Sequence, residues 1–318
     1  MSNLFLGIDT SMYTSSVSVI DENENLVYEK RKILEVKIGE KGLRQSVAVF
    51  QHLKTLPSLL EEIENFNFTA VGVSDRPRNE ADSYMPVFKV GESFADIIAK
   101  ALDVPVFKFS HQENHLGAIL LDKDIKVENI DLFIHISGGT TEFLLVDSGK
   151  SGKQFDLKLV TGSKDISAGQ LIDRIGVSLG LPFPAGPHLE KLSDKLVCHE
   201  PINAATLLSI GEKNGNLSFS GMETRLKNMI STGDYSNEFI ARITEESVAR
   251  TLVKTIGRLC NLYPIKSIII AGGVASNKRI RKIIAINLSD KALFFPANEF
   301  ASDHSVGVAL LAKRAYKS

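Results

Sequence analysis

A chain of 318 residues, 43% hydrophobic and 24% charged, is long enough for two domains with separate cores. Its formal net charge of −1 excludes a global field drawing it to nucleic acid or an anionic membrane, so any such contact needs a local basic patch. No stretch approaches the roughly 20 apolar residues of a membrane span. The start, Met1-Ser2-Asn3-Leu4-Phe5, has no basic or signal-like run, and Cys198 and Cys260 are the only cysteines, so the expected setting is reducing and cytoplasmic.

In chain order, residues 4–10 read as a buried strand ending in the polar turn Asp9-Thr10-Ser11-Met12-Tyr13-Thr14. Residues 15–21 alternate, Val17 and Val19 against Ser16 and Ser18, as a half-buried strand does. Asn23-Glu24-Asn25 turns the chain into a third strand over 26–36. Past Gly39 and Gly42, residues 43–64 carry Val49, Leu53, Leu56, Leu59, Leu60 and Ile63 at helical spacing, with a kink or break expected at Pro57. A fourth strand follows at 70–74, a helix at 90–102, a fifth strand at 104–107 and a helix ending near 121. The order is βββαβαβα.

That order then returns. Strands are expected at 132–137, 143–147 and 155–161, a helix at 167–179, then a break at Pro182-Phe183-Pro184-Ala185-Gly186-Pro187. A long helix at 237–262, a strand at 267–271, a helix at 276–288, a strand at 292–295 and a last helix at 303–316 complete the second copy. Two such copies predict an α/β chain of two ribonuclease-H-like domains, the architecture of the actin, hexokinase and Hsp70 superfamily. The expected domains are 1–126 and 127–318, the second with a mainly helical insertion around 182–232.

The stretch Ser110-His111-Gln112-Glu113-Asn114-His115 places two histidines four residues apart, on one helical face. Neutral imidazole is a common metal ligand, but a helical His pair is more often a hydrogen-bonded surface feature. Asp303, at the start of the last expected helix, offers a third ligand. Two His and one carboxylate suit one divalent ion, Fe(II) first and Zn(II) second. Asp9-Thr10-Ser11 and Ser137-Gly138-Gly139-Thr140-Thr141 occupy the same place in the two repeats. Small hydroxyl residues and exposed amides in such turns make anion-binding nests, here expected to clamp an adenine nucleotide in a cleft between the repeats. Ala271-Gly272-Gly273-Val274-Ala275-Ser276-Asn277 is a strand running into Gly-Gly and a helix. Its glycines would accept a flat adenine, and Asn277 would bond ribose or base. The G-x-G-x-x-G and Walker A spacings are absent. Asp165 is expected to cap the following helix, and Asp173, two turns on, to meet a ribose hydroxyl.

Together with Pro184-Ala185-Gly186-Pro187-His188-Leu189-Glu190-Lys191-Leu192, Phe219-Ser220-Gly221 and Ser302-Asp303, these stretches resemble the TsaD family across nearly the whole chain. These are the tRNA threonylcarbamoyladenosine transferases, formerly the O-sialoglycoprotein endopeptidases. The resemblance implies paired ribonuclease-H-like domains, one metal, usually iron, and transfer of threonylcarbamoyl from its adenylate to the adenosine beside the anticodon of tRNA. It implies metal ligands His111, His115 and Asp303, and substrate contacts His135, Ile136, Ser137, Gly138, Gly139, Asp173, Gly186 and Asn277. A TsaB-like protein is an expected partner.

The departures point to a divergent paralogue. The family's Thr-Ser-Cys-Asp-Glu-Thr turn is Thr10-Ser11-Met12-Tyr13-Thr14-Ser15 here, without either carboxylate. The second Asp of its Asp-Asp-Ala-Ala-Gly is Ile166, the His of its Ser-Gly-Gly-His-Thr is Thr140, and His135 stands at an apolar position. Asp75-Arg76-Pro77-Arg78-Asn79-Glu80-Ala81-Asp82-Ser83-Tyr84-Met85-Pro86 replaces a short Gly-Pro-Gly stretch. A nucleotide- and metal-binding regulator is therefore the rival reading. A zinc peptidase is disfavoured because Gln112, not Glu, follows the first His, and a sugar or acetate kinase has no need of the His pair. Lys278-Arg279-Arg281-Lys282 and Lys313-Arg314 are the candidate tRNA contacts, if they are not merely solvated helix faces.

Overall fold

The computed structural model describes residues 3–11, 13–36, 43–63, 67–80, 82–122, 125–148, 155–196, 212–213, 215–296 and 304–317. The first five strands are β1 (Leu4–Thr10), β2 (Thr14–Asp21), β3 (Leu26–Ile33), β4 (Phe68–Arg76) and β5 (Val106–Ser110), in the spatial order β3-β2-β1-β4-β5. β1 pairs antiparallel with β2 and β2 with β3, whereas β1/β4 and β4/β5 are parallel. The central strands read as unbroken apolar runs because helices cover both faces of a sheet with parallel crossovers. Around the sheet lie α1 (Gln45–Leu60), α2 (Phe88–Leu102) and α3 (His111–Ile119). The core joins Leu6, Ile8, Val17, Val71 and Val73 of the sheet to Leu56 and Leu59 of α1 and to Val90, Ala95 and Ala99 of α2. Of the kink or break expected at Pro57 there is no break: α1 stays one helix through it.

The second set is β6 (Leu132–Ile136), β7 (Thr141–Asp147), β8 (Asp156–Gly162), β11 (Ser267–Ala271) and β12 (Ala292–Phe294), ordered β12-β11-β6-β7-β8. β6/β7 is antiparallel, and β6/β11 and β11/β12 are parallel. With β6 taken as β1, the sheet repeats the first one strand for strand. Its helices are α4 (Ala168–Ser178), α7 (Asn237–Leu262) and α8 (Lys278–Asn287). Between α4 and α7 the expected helical insertion contains α5 (Gly186–Ser193), α6 (Ser220–Thr232) and, not foreseen, a short ribbon of β9 (Glu212–Lys213) with β10 (Asn216–Leu217). Phe143, Leu171, Ile175, Phe219, Leu252 and Ile270 lie in its core.

The chain divides into two compact units, one of residues 1–128, 147–157 and 302–318, the other of 129–146 and 158–301. This differs from the expected boundary, which assigned everything after 126 to the second domain. The last helix, α9 (Val306–Lys317), packs against α3 and the first sheet. At the crossing of α9 with α3, a Cβ on Gly307 would lie 1.8 Å from the Asn114 carbonyl oxygen, so only glycine allows this approach. No helix among the described residues is long and apolar enough to cross a membrane.

Candidate functional site

In the first unit the site is built on α3. β5 runs directly into this helix through Ser110, which is both the last strand residue and the N-cap. The Ser110 hydroxyl accepts from Glu113 N at 3.2 Å, and Glu113 Oε2 accepts from Ser110 N at 2.6 Å, a complete capping box. Glu113 is thus committed to the helix start. One turn presents His111 and His115 side by side, ring centroids 4.4 Å apart and Nε2 atoms 3.0 Å apart. His111 Nδ1 lies 3.0 Å from Asp9 Oδ1, and Asp9 is fully buried, with Oδ2 accepting from Ser11 N at 3.2 Å. An Nδ1–H donated to Asp9 leaves the His111 lone pair on Nε2, towards His115. Phe88 of α2 closes the other side of the His111 ring, centroids 5.7 Å apart.

The turn reading noticed Asp9 but not its imidazole partner. The missed signal was that β1 and β5 both flank β4, which brings Asp9 and the start of α3 to one end of the sheet. Asn114 fastens α3 to the last helix, donating from Nδ2 to the His304 carbonyl at 2.6 Å and accepting at Oδ1 from Val308 N at 2.9 Å. Asp303 lies outside the described residues, as do Met12 and Cys198. Among the described residues no three His, Cys, Asp or Glu side chains form a metal-ligand cluster.

In the second unit His135 to Gly139 lie at the C-terminal end of β6 and Asn277 follows the C-terminal end of β11, where open α/β sheets bind ligands, while Asp173 and Gly186 lie on α4 and α5. Gly138 and Gly139 are exposed at the tip of the β6–β7 turn, and a Cβ at either meets nothing within 4 Å. The turn is partly self-satisfied. Ser137 N donates to the Thr140 carbonyl at 2.9 Å, and Gly139 N and Thr140 N point at Ser137 Oγ, 3.2 and 3.1 Å away. Expected amide donors are therefore already engaged within the turn. His135 is buried beneath it, Nδ1 3.1 Å from Thr140 Oγ1, and Ile136 is core, so the side chains of neither line an open surface. Gly272 has φ of 106°, and a Cβ there would lie 2.2 Å from the Ile136 carbonyl oxygen, so glycine sets the Gly272-Gly273 turn against β6.

Asp173, on α4, accepts from Ala185 N at 2.8 Å and so stands against Gly186 at the start of α5. Burial pushes its carboxyl up from the ordinary range, while the amides of Ala185 and Gly186 pull it down. Arg174 pairs with Glu223, 3.0 Å away, rather than with Asp173. Asp165 does not cap α4, a role taken by Ser167. Asp165 instead receives Phe219 N and Ser220 N, 3.0 Å each, and the Ser218 hydroxyl at 2.7 Å, which hold its carboxyl well below the usual range despite the opposing effect of burial. It is a cap for α6 supplied from a distant stretch of chain. Asn277 caps α8, accepting from Ile280 N at 2.9 Å, and donates from Nδ2 to Glu245 Oε1 at 2.6 Å. Sequence reasoning missed Glu245, which lies inside an unremarkable helical pattern.

The basic groups proposed for tRNA are largely spent internally. Arg279 faces Asp194 and Glu245, Arg281 Nε donates to the Ala275 carbonyl, and Lys313 and Arg314 both bind Glu24. Lys278 and Lys282 are exposed.

A family model described as TsaD, tRNA N6-adenosine threonylcarbamoyltransferase, matches residues 84–310. The enzyme of that name from Sulfurihydrogenibium sp. (strain YO3AOP1) is 28% identical over 98% of this chain and 90% of its own. That of Carboxydothermus hydrogenoformans is 27% identical over 100% and 94%. Among solved structures, the Acidaminococcus fermentans (R)-2-hydroxyglutaryl-CoA dehydratase component A superposes with a TM-score of 0.59 at 14% identity, covering 100% of both chains. A Streptomyces griseus ROK family glucokinase in complex with glucose and AMPPNP gives 0.52 at 14% identity, over 99% of this chain and 100% of the other. These likenesses carry the fold: two ribonuclease-H-like domains of the actin and hexokinase type.

Proposed function

This chain belongs to the TsaD family of tRNA N6-adenosine threonylcarbamoyltransferases, and from that premise we propose that it is a metal-dependent transferase moving threonylcarbamoyl from threonylcarbamoyl-adenylate to the adenosine beside the tRNA anticodon. The observation that carries the metal part is the His111–His115 pair with Asp9 behind it. A carboxylate on the distal nitrogen of a ligand imidazole fixes its tautomer and raises its basicity. The two Nε2 atoms stand 3.0 Å apart, near enough for both imidazoles to serve one ion. The donors fit. His111, His115 and Asp303 would hold one divalent ion, Fe(II) before Zn(II). When bound, it supplies a Lewis acid for phosphate or carbamoyl oxygens.

The chain's own residues supply the rest. The exposed Gly138-Gly139 tip lets backbone approach phosphate, and Asp173, Gly186 and Asn277 hold the adenosine. The acceptor amine attacks the carbamoyl carbon, the bond from that carbon to the phosphate oxygen breaks, AMP leaves, and the amine gives up a proton. The exposed Lys278 and Lys282 of α8 are the candidate tRNA contacts. A TsaB-like partner and a cytoplasmic setting complete the proposal.

One observation favours a second reading, a nucleotide- and metal-binding regulator without transfer. At the turn where the family carries two carboxylates, Tyr13 is 39% exposed and Thr14 is buried in β2. Neither a phenol nor a hydroxyl replaces a carboxylate as general base near neutral pH. The test is transfer by the purified chain, with unmodified tRNA and synthetic threonylcarbamoyl-adenylate, run beside Tyr13→Asp. Only position 13 is open, because a carboxylate at 14 would be buried. Transfer by the unaltered chain supports the first reading. No transfer, with AMP and metal still bound, supports the second, and gain in Tyr13→Asp assigns the loss to the turn.

A further inference from the structure

Behind Asn277 lies a charged network that the chemistry above does not use. Glu245, on α7, is fully buried, a position that strips a carboxylate of its hydration. Its Oε1 receives Asn277 Nδ2 at 2.6 Å, and its Oε2 stands 3.3 Å from Arg279 Nε. The Ser193 hydroxyl also points at the carboxylate. Ser193 Oγ accepts from Arg242 Nε at 3.0 Å and so has its own hydrogen left for Glu245. The far arm of Arg279 reaches Asp194 at 3.2 Å. Replacing a buried ion pair by packed apolar residues is often neutral or stabilising, so stability gives no reason for the network. Position does. Asn277 Oδ1 accepts from Ile280 N at 2.9 Å, which fixes which end of the amide is oxygen, and Glu245 holds the other end. A primary amide has two N–H donors and two lone pairs, so one of each remains for a ligand.

We propose that Glu245 is a positioning residue for adenosine recognition, holding the Asn277 amide in the one orientation that leaves a donor and an acceptor for the nucleoside. Glu245 does not itself touch the ligand. The inference rests on the reading of Asn277 as a nucleotide contact.

The experiment is calorimetric titration of AMP into the full chain and into Glu245→Ala, Glu245→Met, Glu245→Gln, Asn277→Ala and the double variant Glu245→Ala/Asn277→Ala, each checked by thermal unfolding. Glu245→Ala should weaken AMP about tenfold, the worth of one hydrogen bond to a charged group. Glu245→Met, similar in volume, leaves Arg279 and Asn277 without this partner and should melt lower, yet at a temperature where it is folded should lose as much AMP affinity. Glu245→Gln, whose amide oxygen still accepts from Asn277, should stay within about threefold of the parent. The double variant should bind no more weakly than Asn277→Ala alone. Full AMP affinity in Glu245→Met, or losses that add in the double variant, would overturn the proposal. Unchanged affinity in Asn277→Ala would remove the nucleotide reading of Asn277 and the proposal with it. Weakening in Asn277→Ala but not in Glu245→Ala or Glu245→Met would remove the proposal alone.

Discussion

Asn114→Ala should be among the most damaging single changes in the first unit, although Asn114 neither binds metal nor fills the apolar core. Its side chain is fully buried and makes two bonds to the start of α9, 2.6 Å to the His304 carbonyl and 2.9 Å from Val308 N. Val308 N–H belongs to the first turn of that helix, one of the donors a helix leaves without an internal partner. Asn114 therefore acts as a cap from 194 residues away. Alanine forfeits two hydrogen bonds of about 1 kcal/mol each, and each buried group left behind adds about 1–3 kcal/mol. The expected loss is about 4 kcal/mol, or about 10 °C in the transition of a unit this size. Differential scanning calorimetry reads it directly. A fall of less than about 2 °C would refute the reasoning, since the clamp would then be worth less than a single exposed hydrogen bond. Metal content should fall with it, because the residue next to Asp303 loses its anchor.

Asp9→Asn should keep the fold but lower metal affinity about 10- to 100-fold, the usual loss when the carboxylate behind a ligand imidazole is removed, and a chelator competition would measure it. Gly138→Val should weaken AMP binding with no change in Tm, because a side chain there meets only open space in the free protein; calorimetry showing full affinity would contradict the site. The Glu24 carboxyl is held down to about 2, chiefly by the Arg314 hydrogen bond and against the effect of burial. A depressed folded pKa contributes stability that is fully present above the ordinary glutamate value of 4.5 and is lost as pH falls towards about 2. Screening near the surface keeps this to about 1 kcal/mol. Urea midpoints of the parent and Glu24→Gln should therefore differ at pH 6 and converge as pH approaches 2.

Much of this architecture was legible because strand and helix periods are local. Asn237–Leu262 and Ser267–Ala271 fall where their apolar spacing placed them, and the two sheets share the strand order that the repeated βββαβαβα pattern implied. The residues that escaped are those whose roles are set by distant partners. Asp9 looked like part of a phosphate turn but receives His111, 102 residues on. Asp165 had the sequence position of a cap for the adjacent helix, yet the shorter serine at 167 takes that role and Asp165 caps α6. Glu245 had no sequence signal, because a buried carboxylate in a long helix reads like a solvent-facing one until its neighbour Asn277 is known.

Distant partners likewise govern how tRNA would be held. A run such as Lys278-Arg279-Ile280-Arg281-Lys282 reads as a basic patch, but the field a partner feels depends on which cations remain unpaired. Arg279 is neutralised by Asp194 and Glu245, whereas Arg314 and Lys313 share the single carboxylate of Glu24 and keep one net positive charge between them. What is left on α8 is two exposed lysines, point charges without the bidentate fork that arginine offers a phosphate, and the half-buried Arg281, whose Nε is bound to the neutral Ala275 carbonyl. Contact through so few cations should be weak, only modestly salt-dependent and indifferent to sequence. Selection of one adenosine on tRNA would then need contacts beyond these cations, because in the proposed reaction Asp173, Gly186 and Asn277 hold the adenosine of the adenylate donor.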